Sequence, residues 1–427
     1  MSLGLYVSRC GGRVGSVVDL DTALGASGAL AEVVRVFDDL SDSSAQEVIV
    51  SDVAEKQLDA VVLAGHSVEH YTRSLSGQYL KQRIADAGVN PNRIVAANLL
   101  EQVALAHPDD PAGATLKAAA LIRVACSRAI EAPYVEQIET QPIRSVLILG
   151  ATTEGAVAAQ RLLQLGYGVV IADRKDGLAR LRASAELGAT VAYVTGHPAC
   201  RLISDVRMVD GEGWLGDYSI TLEAENGPST VEVGGILLAR PDETAWVEEL
   251  RTHFKVDVDD QGSARSLDPH THPAETVDAG IMVVPLRDES ARIANKVSGA
   301  DSAAMALVLK LSQTRAVHLV DVSRVDEDLC GGCASCVKTC AFGACTIGDD
   351  GFSHVDVRRC RGCGKCVVSC PVGARDIVNS PHDYLIGAIR TLAEVESPGD
   401  EKVIGFLCAG CGYPAADSAA RHIGQGG

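Results

Sequence analysis

The chain is short of aromatic side chains: five Phe, nine Tyr and two Trp among 427 residues. Its core must therefore rest on aliphatic and small residues, and the 42 glycines suit α/β layers with many tight turns. It has no apolar run of the roughly 18 residues that span a bilayer, so no membrane span is expected. Met1 to Gly12 lacks a basic segment followed by an apolar one, so no secretory leader is expected. Positive charge is also scarce. Lys and Arg number 38 against 56 Asp and Glu, a formal net charge of −18, which argues against nucleic acid as a partner. A cytoplasmic setting follows, in which thiols stay reduced and clustered cysteines signify metal. Hydrophobic residues at 47% and charged residues at 22% allow a normal packed core. The length suggests two to four domains.

Cysteine is abundant in one place. Cys330, Cys333, Cys336 and Cys340 form one C-x2-C-x2-C-x3-C run; Cys360, Cys363, Cys366 and Cys370 form a second, followed by Pro371. The runs are an internal repeat with an offset of thirty, which Gly343/Gly373, Ala344/Ala374 and Ile347/Ile377 also keep. This is the spacing of a bacterial two-cluster ferredoxin, in which the fourth cysteine of each run reaches the other cluster. Two [4Fe-4S] clusters are expected, one on Cys330, Cys333, Cys336 and Cys370, the other on Cys360, Cys363, Cys366 and Cys340. Zinc is the competing reading, but zinc sites place their cysteines as separated pairs rather than four in eleven residues. Ala341 stands where the first run would carry a proline; this loosens a turn and removes no ligand. Cys345 reads as a buried small residue rather than a ligand. Residues 330–377 carry six basic and four acidic side chains, against the acidity of the whole chain. These bases either solvate the surface and offset cluster charge, or form a docking face and raise the reduction potential.

The remainder alternates strand and helix signals, which implies parallel sheets covered by helices. Short apolar strands are expected at Leu3–Val7, Ala60–Ala64 and Arg93–Ala97, with helices at Tyr71–Ala87 and Ala114–Ile130. A linker with Pro133 and Pro142 leads to a strand at Ser145–Leu149, the loop Gly150-Ala151-Thr152-Thr153-Glu154-Gly155, a helix to about Leu165, and a strand at Tyr167–Ala172 ending in Asp173. This outlines a dinucleotide-binding βαβ unit, with Gly150, Gly155 and Asp173 as the candidate nucleotide residues. Thr152 replaces the middle glycine that lets the backbone approach a pyrophosphate, so the fold requirement survives while the binding requirement is impaired. FAD is the disfavoured option.

Tyr218–Ala224 and Thr230–Leu238 are expected to form a hairpin, and Ser298–Leu311 a helix. The acidic stretch from Asp257 to Asp268 matches a calcium loop poorly and reads as a solvated turn. His270-Thr271-His272 reads as a surface loop. Asp383–Val395 is a helix candidate and Val403–Leu407 a strand candidate. Cys408 and Cys411 form one C-x-x-C pair, which is a redox dithiol or half of a metal site. No nucleophile–base constellation is evident.

The order of these parts resembles the HdrA family, the A component of heterodisulfide reductase. Leu5-Tyr6-Val7-Ser8-Arg9-Cys10-Gly11-Gly12 is similar to the family's opening V-C-x-C-G. Ala97-Asn98-Leu99-Leu100-Glu101-Gln102 with His107 resembles its A-N-I-R-E-Q…H, and Gly213-Trp214-Leu215-Gly216-Asp217-Tyr218 resembles its G-Y-V-G-N-F. The tail from Gly405 to Cys411 resembles the opening of the small [2Fe-2S] delta component of hydrogenases. The resemblance implies an N-terminal α/β domain (1–140), a reduced Rossmann-type, flavoprotein-like domain (141–318), a two-[4Fe-4S] ferredoxin module (319–385), and a linker with the CxxC tail (386–427). Cys10 alone stands where the family's N-terminal domain has several cysteines. The comparable places read Ser8, Leu40 and His66, so no N-terminal cluster is expected.

The function this implies is electron transfer within a multisubunit oxidoreductase. The partners would be flavin, hydrogenase, formate dehydrogenase or HdrBC-like subunits, and the substrate chemistry would lie on another chain. The competing expectation is an enzyme that relays or bifurcates electrons at bound FAD.

Overall fold

The computed structural model describes residues 1–25, 30–67, 70–71, 80–174, 179, 181, 187–239, 243–259, 264, 272–285, 292–320, 322–378, 380–394, 403–407, 412, 415–416 and 418–419. The chain divides into two compact units, one of Met1–Val135 with Asn379–Gly427, the other of Glu136–Val378.

The first unit is built on a parallel sheet of β1 (Leu3–Ser8), β2 (Val33–Phe37), β3 (Ala60–Gly65) and β4 (Ile94–Asn98), in the order β2-β1-β3-β4. Its helices are α1 (Leu20–Gly25), α2 (Ser43–Lys56), α3 (Leu80–Asp86) and α4 (Pro111–Glu131). Both central strands are buried along their whole length, as continuous apolar runs in a covered parallel sheet require. Successive residues feed opposite faces. Leu5, Val7, Val62 and Ala64 pack with α4 through Ala118, Ile122 and Ala125, while Tyr6, Val61 and Leu63 pack with α2 and α3 through Ile49, Val53 and Ile84. Helix α4 starts where Pro111 takes the first turn and the Asp110 side chain accepts from Gly113 N–H. A closing helix, His382–Glu394, packs on α4, with Arg128 over the Tyr384 ring and Arg123 paired to Glu394.

The second unit holds a five-stranded parallel sheet: β6 (Ser145–Leu149), β7 (Gly168–Ala172), β8 (Cys200–Ile203), β12 (Gly235–Leu238) and β13 (Ile281–Val283), ordered β13-β12-β6-β7-β8. Helices α5 (Thr153–Gln164) and α8 (Ile293–Leu311) cover one face, where Val146 and Ile148 meet Ala158, Leu162, Ala303 and Leu307. An antiparallel meander of β9 (Arg207–Trp214), β10 (Asp217–Ala224) and β11 (Gly227–Val233) covers the other, together with α7 (Glu243–Arg251). There Leu147 and Leu149 meet Ile220, Val233 and Trp246. Helix α6 (Gly188–Gly196) follows β7, and β5 (Gln137–Thr140) pairs with β14 (Ala316–Leu319).

Several sequence expectations change in position. The expected strand Thr230–Leu238 divides at Gly234, where the chain leaves the meander as β11 and enters the parallel sheet as β12; Gly234 N–H donates to Ser145 O. Periodicity cannot see this break, because both halves are buried. Helix α8 begins at Ile293 rather than Ser298, and Val403–Leu407 forms no strand. Residues 72–79 of the expected helix Tyr71–Ala87, residues 260–263 and 265–268 of the acidic turn, and His270 and Thr271 lie outside the described residues.

One ion pair ties sheet to helix in the first unit. Asp52 on α2 is buried and accepts from Arg35 Nε and Nη2 at 2.5 and 2.8 Å. The Arg35 hydrogen bond holds the Asp52 carboxyl below its ordinary value of 3.8. A depressed carboxyl contributes stability that is complete above the unfolded value and is lost as pH falls through the folded one. Asp52→Asn should therefore cost about 1 kcal/mol near neutral pH, limited by the half-exposed Arg35. In urea unfolding, the gap between wild type and variant should close progressively from about pH 4 downward.

Candidate metal centres

The cysteine repeat folds as two halves that complete each other. β15 (Ser323–Val325) pairs antiparallel with β18 (Arg375–Ile377), and β16 (Cys345–Ile347) with β17 (Ser353–Val355). Asp326 N–H donates to Ala374 O at 2.8 Å, and Asp356 N–H to Ala344 O at 2.8 Å. These pairs are thirty residues apart in sequence, so the module carries an internal two-fold. Each half's lead-in strand bonds to the strand that closes one of the cysteine runs. Short helices α9 (Ser335–Thr339) and α10 (Lys365–Val368) carry the third cysteines, Cys336 and Cys366. Each follows a left-handed residue, Ala334 at φ 60° and Gly364 at φ 75°. Ala334 holds, with a side chain, a conformation that glycine adopts freely.

Two cavities result. The first, about 330 Å³, is lined by Cys330, Cys333, Cys336 and Cys370, with Ser353 and Arg375 beside them. The second, about 310 Å³, is lined by Cys360, Cys363, Cys366 and Cys340, with Ser323, Cys345, Arg361 and Lys365. The fourth cysteine of each run thus stands with the first three of the other. Among the described residues no three His, Cys, Asp or Glu side chains approach closely enough to hold a single metal ion. The thiols ring a volume instead, and four thiols around a volume are the donor set of a cluster.

The surroundings of the thiols suit an anion rich in acceptors. Ala344 and Ala374 N–H groups each donate to a sulfur at 3.3 Å, that of Cys340 and Cys370 respectively. Ser353 Oγ lies 3.2 Å from Cys336 Sγ, and its repeat partner Ser323 lies beside Cys366. The Cys366 thiol is pulled down by a hydrogen bond from Cys345, against the opposing effect of burial. Burial pushes the Cys360 thiol up. Residues lining the cavities also carry buried donors without a protein acceptor: Arg375 Nε and Nη1 at the first, Ser323 Oγ and Arg361 Nη2 at the second. Leaving such a donor unmet costs about 1–3 kcal/mol. Thiolates and cluster sulfides would meet that need, so the residues present fit a [4Fe-4S] cluster in each cavity. Cys345 is buried, as expected, but its sulfur also lines the second cavity and accepts from Arg375 Nη2 at 2.8 Å.

The basic residues of this segment have a use that their charge alone did not announce. Arg358 donates to Glu212 Oε1 at 3.1 Å and Asp217 Oδ2 at 2.6 Å, and its guanidinium covers Trp214. Arg359 clasps both Asp210 oxygens at 2.8 and 2.7 Å and holds that carboxyl below its usual range. Arg361 donates to Gly213 O and His253 O, each at 2.8 Å, over the Phe254 ring. All three join the cysteine module to the β9–β10 hairpin and the chain after α7. They are internal fastenings, neither a solvated face nor a surface for an outside partner.

At the nucleotide-type loop, Gly150 has φ 114°, and a Cβ there would meet Ala239 O at 2.2 Å. Thr152 caps α5: its hydroxyl accepts from Gly155 N–H at 3.1 Å, so that amide is already engaged. Glu154, buried in the first turn and 3.9 Å from Lys296 Nζ, places negative charge where a phosphate would sit. Asp173 is buried at 3% exposure, and Arg174 pairs with Glu249 over the Trp246 ring. In the first unit, Ser8, Cys10, Leu40 and His66 gather at the carboxyl edge of the sheet. Ser8 Oγ accepts from Cys10 N–H at 3.1 Å and Leu40 N–H at 3.4 Å. The positions converge, and one thiol stands among them. His66 stacks on His70 at 4.0 Å, which no sequence signal announced. Cys408 and Cys411 lie outside the described residues.

Comparison with known proteins agrees with this chemistry. The 4Fe-4S binding domain family matches residues 352–374. The second iron-sulfur HdrA protein of the CoB–CoM heterodisulfide reductase in Methanopyrus kandleri is 26% identical over 235 residues, 52% of this chain and 35% of that protein. The HdrA protein of the H(2):CoB-CoM heterodisulfide,ferredoxin reductase in Methanothermobacter thermautotrophicus is 30% identical over 235 residues, with the same two shares. Its counterpart in the ferredoxin/F(420)H(2)-dependent CoB-CoM heterodisulfide reductase of Methanosarcina acetivorans is 26% identical over 237 residues, 29% of its length. The chain spans about a third of the length of these curated relatives. Its class is that of a mixed α/β iron–sulfur protein with a ferredoxin-type module. Within that class it is an HdrA-like protein, similar to the iron–sulfur component of heterodisulfide reductases. No helix among the described residues is long and apolar enough to cross a membrane.

The arginine fastenings should show energetic coupling. In a double-mutant cycle, Arg359→Ala and Asp210→Ala should each destabilise the chain, with a coupling of about 1 kcal/mol that shrinks at high salt.

Proposed function

We propose that this chain is an electron-transfer subunit of a multisubunit oxidoreductase and holds two [4Fe-4S] clusters between partner subunits. The observation that carries the reading is the exchange of fourth cysteines, which gives each cavity a complete four-thiol set. Cys330, Cys333, Cys336 and Cys370 would hold one cluster; Cys360, Cys363, Cys366 and Cys340 the other. When bound, such clusters supply one-electron carriers. The chain's own part is to hold the thiols in place, to donate backbone hydrogen bonds to Cys340 and Cys370, and to shield the third cysteines. Cys336 and Cys366 are buried, whereas Cys333 and Cys363 are exposed. One edge of each site therefore faces outward, where a partner's redox centre can approach. The similarity to heterodisulfide reductase proteins supports partners of the flavin, hydrogenase, formate dehydrogenase or HdrBC-like kinds, with substrate chemistry on another chain.

The nucleotide-type loop supports a scaffold role. Thr152 engages the amide at the third glycine position, Glu154 occupies the helix N-terminus, and Asp173 is buried. In this reading the β6–α5–β7 unit positions the meander that receives Arg358 and Arg359. FAD bound at Gly150, Gly155 and Asp173 is the lesser reading, supported by the βαβ outline itself.

Protein purified without oxygen should contain about eight iron and eight sulfide per chain. Cys370→Ser and Cys330→Ser should disturb the same electron paramagnetic resonance signal, and Cys340→Ser and Cys360→Ser the other. If Cys370→Ser groups with Cys360→Ser, the exchanged arrangement is wrong. Flavin analysis of the same protein should find far less than one FAD per chain. A stoichiometric flavin that bleaches on reduction would favour the enzyme reading.

A further inference from the structure

The thirty-residue repeat pairs Cys345 with Arg375. They are the one point near the cavities where the two-fold matches a thiol with a cation, and they touch. Arg375 Nη2 donates to Cys345 Sγ at 2.8 Å. Arg375 lines the first cavity and Cys345 the second, so this contact lies between the two sites. Arg375 is 2% exposed and Cys345 4%.

A guanidinium stays charged under all ordinary conditions, and an unpaired buried charge is strongly destabilising. Among the described residues no carboxylate forms an ion pair with Arg375, and its Nε and Nη1 have no protein acceptor. Arg361, the buried arginine of the second cavity, is differently placed. Two of its nitrogens are bound to Gly213 O and His253 O, and its plane rests on Phe254. The negative charge available to Arg375 is that of the first cavity, where four cysteines stand together.

We propose that Arg375, anchored on the Cys345 sulfur, raises the reduction potential of the cluster held by Cys330, Cys333, Cys336 and Cys370. The inference rests on the reading that both cavities hold [4Fe-4S] clusters. Adding an electron increases the negative charge of a cluster, so a fixed cation beside it stabilises the reduced form more than the oxidised one. Cys345 then serves as the acceptor that orients the guanidinium, not as a fifth ligand. It stands at the repeat position of Arg375 itself, outside both four-cysteine runs.

The test uses the full chain, purified without oxygen, with iron and sulfide analysis followed by a redox titration read by electron paramagnetic resonance. Arg375→Met should keep the iron of the wild type. At a fixed potential, the ratio of reduced to oxidised form should fall about tenfold for one cluster, a shift of ~59 mV to more negative values for one electron, while the other cluster holds its potential. Arg375→Lys should recover most of the shift. Cys345→Ala should keep all the iron and move the same cluster in the same direction by less. The proposal is overturned if Arg375→Met leaves both potentials in place or moves them together, or if Cys345→Ala loses iron, which would make Cys345 a ligand. Should Arg375→Met not assemble, Cys345→Ala decides the matter, since it spares every expected ligand: unmoved potentials overturn the proposal. Wild-type protein without iron would overturn the underlying reading as well.

Discussion

Neither cysteine run can complete a four-thiol site by itself. Three cysteines spaced two residues apart wrap one volume, and the fourth is carried away by the turn that follows. The second half of the repeat must return that ligand, and the first half must do the same in exchange. This requirement dictates the two antiparallel ladders, β15 with β18 and β16 with β17, and the reciprocal bonds of Asp326 to Ala374 and Asp356 to Ala344. It also accounts for Ala334 in a left-handed conformation, since its partner Gly364 performs the same turn at the other site.

The module has too small an apolar core of its own to set its place in the unit. Its buried apolar cluster is little more than cysteine sulfur with two valines. Three arginines next to Cys360 supply the attachment by gripping the carboxylates and carbonyls of β9 and β10. The meander is itself held by the parallel sheet through Ile220, Val233 and Trp246. The parallel sheet therefore serves the metal centres as a foundation. The same demand explains the state of the nucleotide-type loop. A helix start that is capped by Thr152 and occupied by Glu154 is stable without a phosphate, which is what a foundation requires.

The eight cysteines, their repeat, the βαβ unit and the buried strands β1, β3 and β6 were legible from one chain, because spacing and apolar runs are local properties. Strand β12 was not separable from β11, since both halves of that stretch are buried and only the sheet they join distinguishes them. The meander strand β9 gave no clear signal, as its alternation is interrupted by Asp210, Gly211 and Gly213. The row at Arg358, Arg359 and Arg361 was visible as charge, but its partners lie about 140 residues away in sequence. Charge alone does not say whether an arginine meets solvent, a partner or its own chain.

The sequence by itself determined the chemistry. Thiols at those intervals can converge only on a cluster-sized volume, and the offset of thirty announces that there are two. Tertiary structure alone decided which thiols share a cavity with which buried cations and hydroxyls. Ser323, Ser353, Cys345 and Arg375 lie outside the cysteine runs and carry no motif. They acquire meaning only when the two-fold brings Cys345 against Arg375 and leaves a guanidinium buried between two rings of sulfur, where the low dielectric makes its charge count.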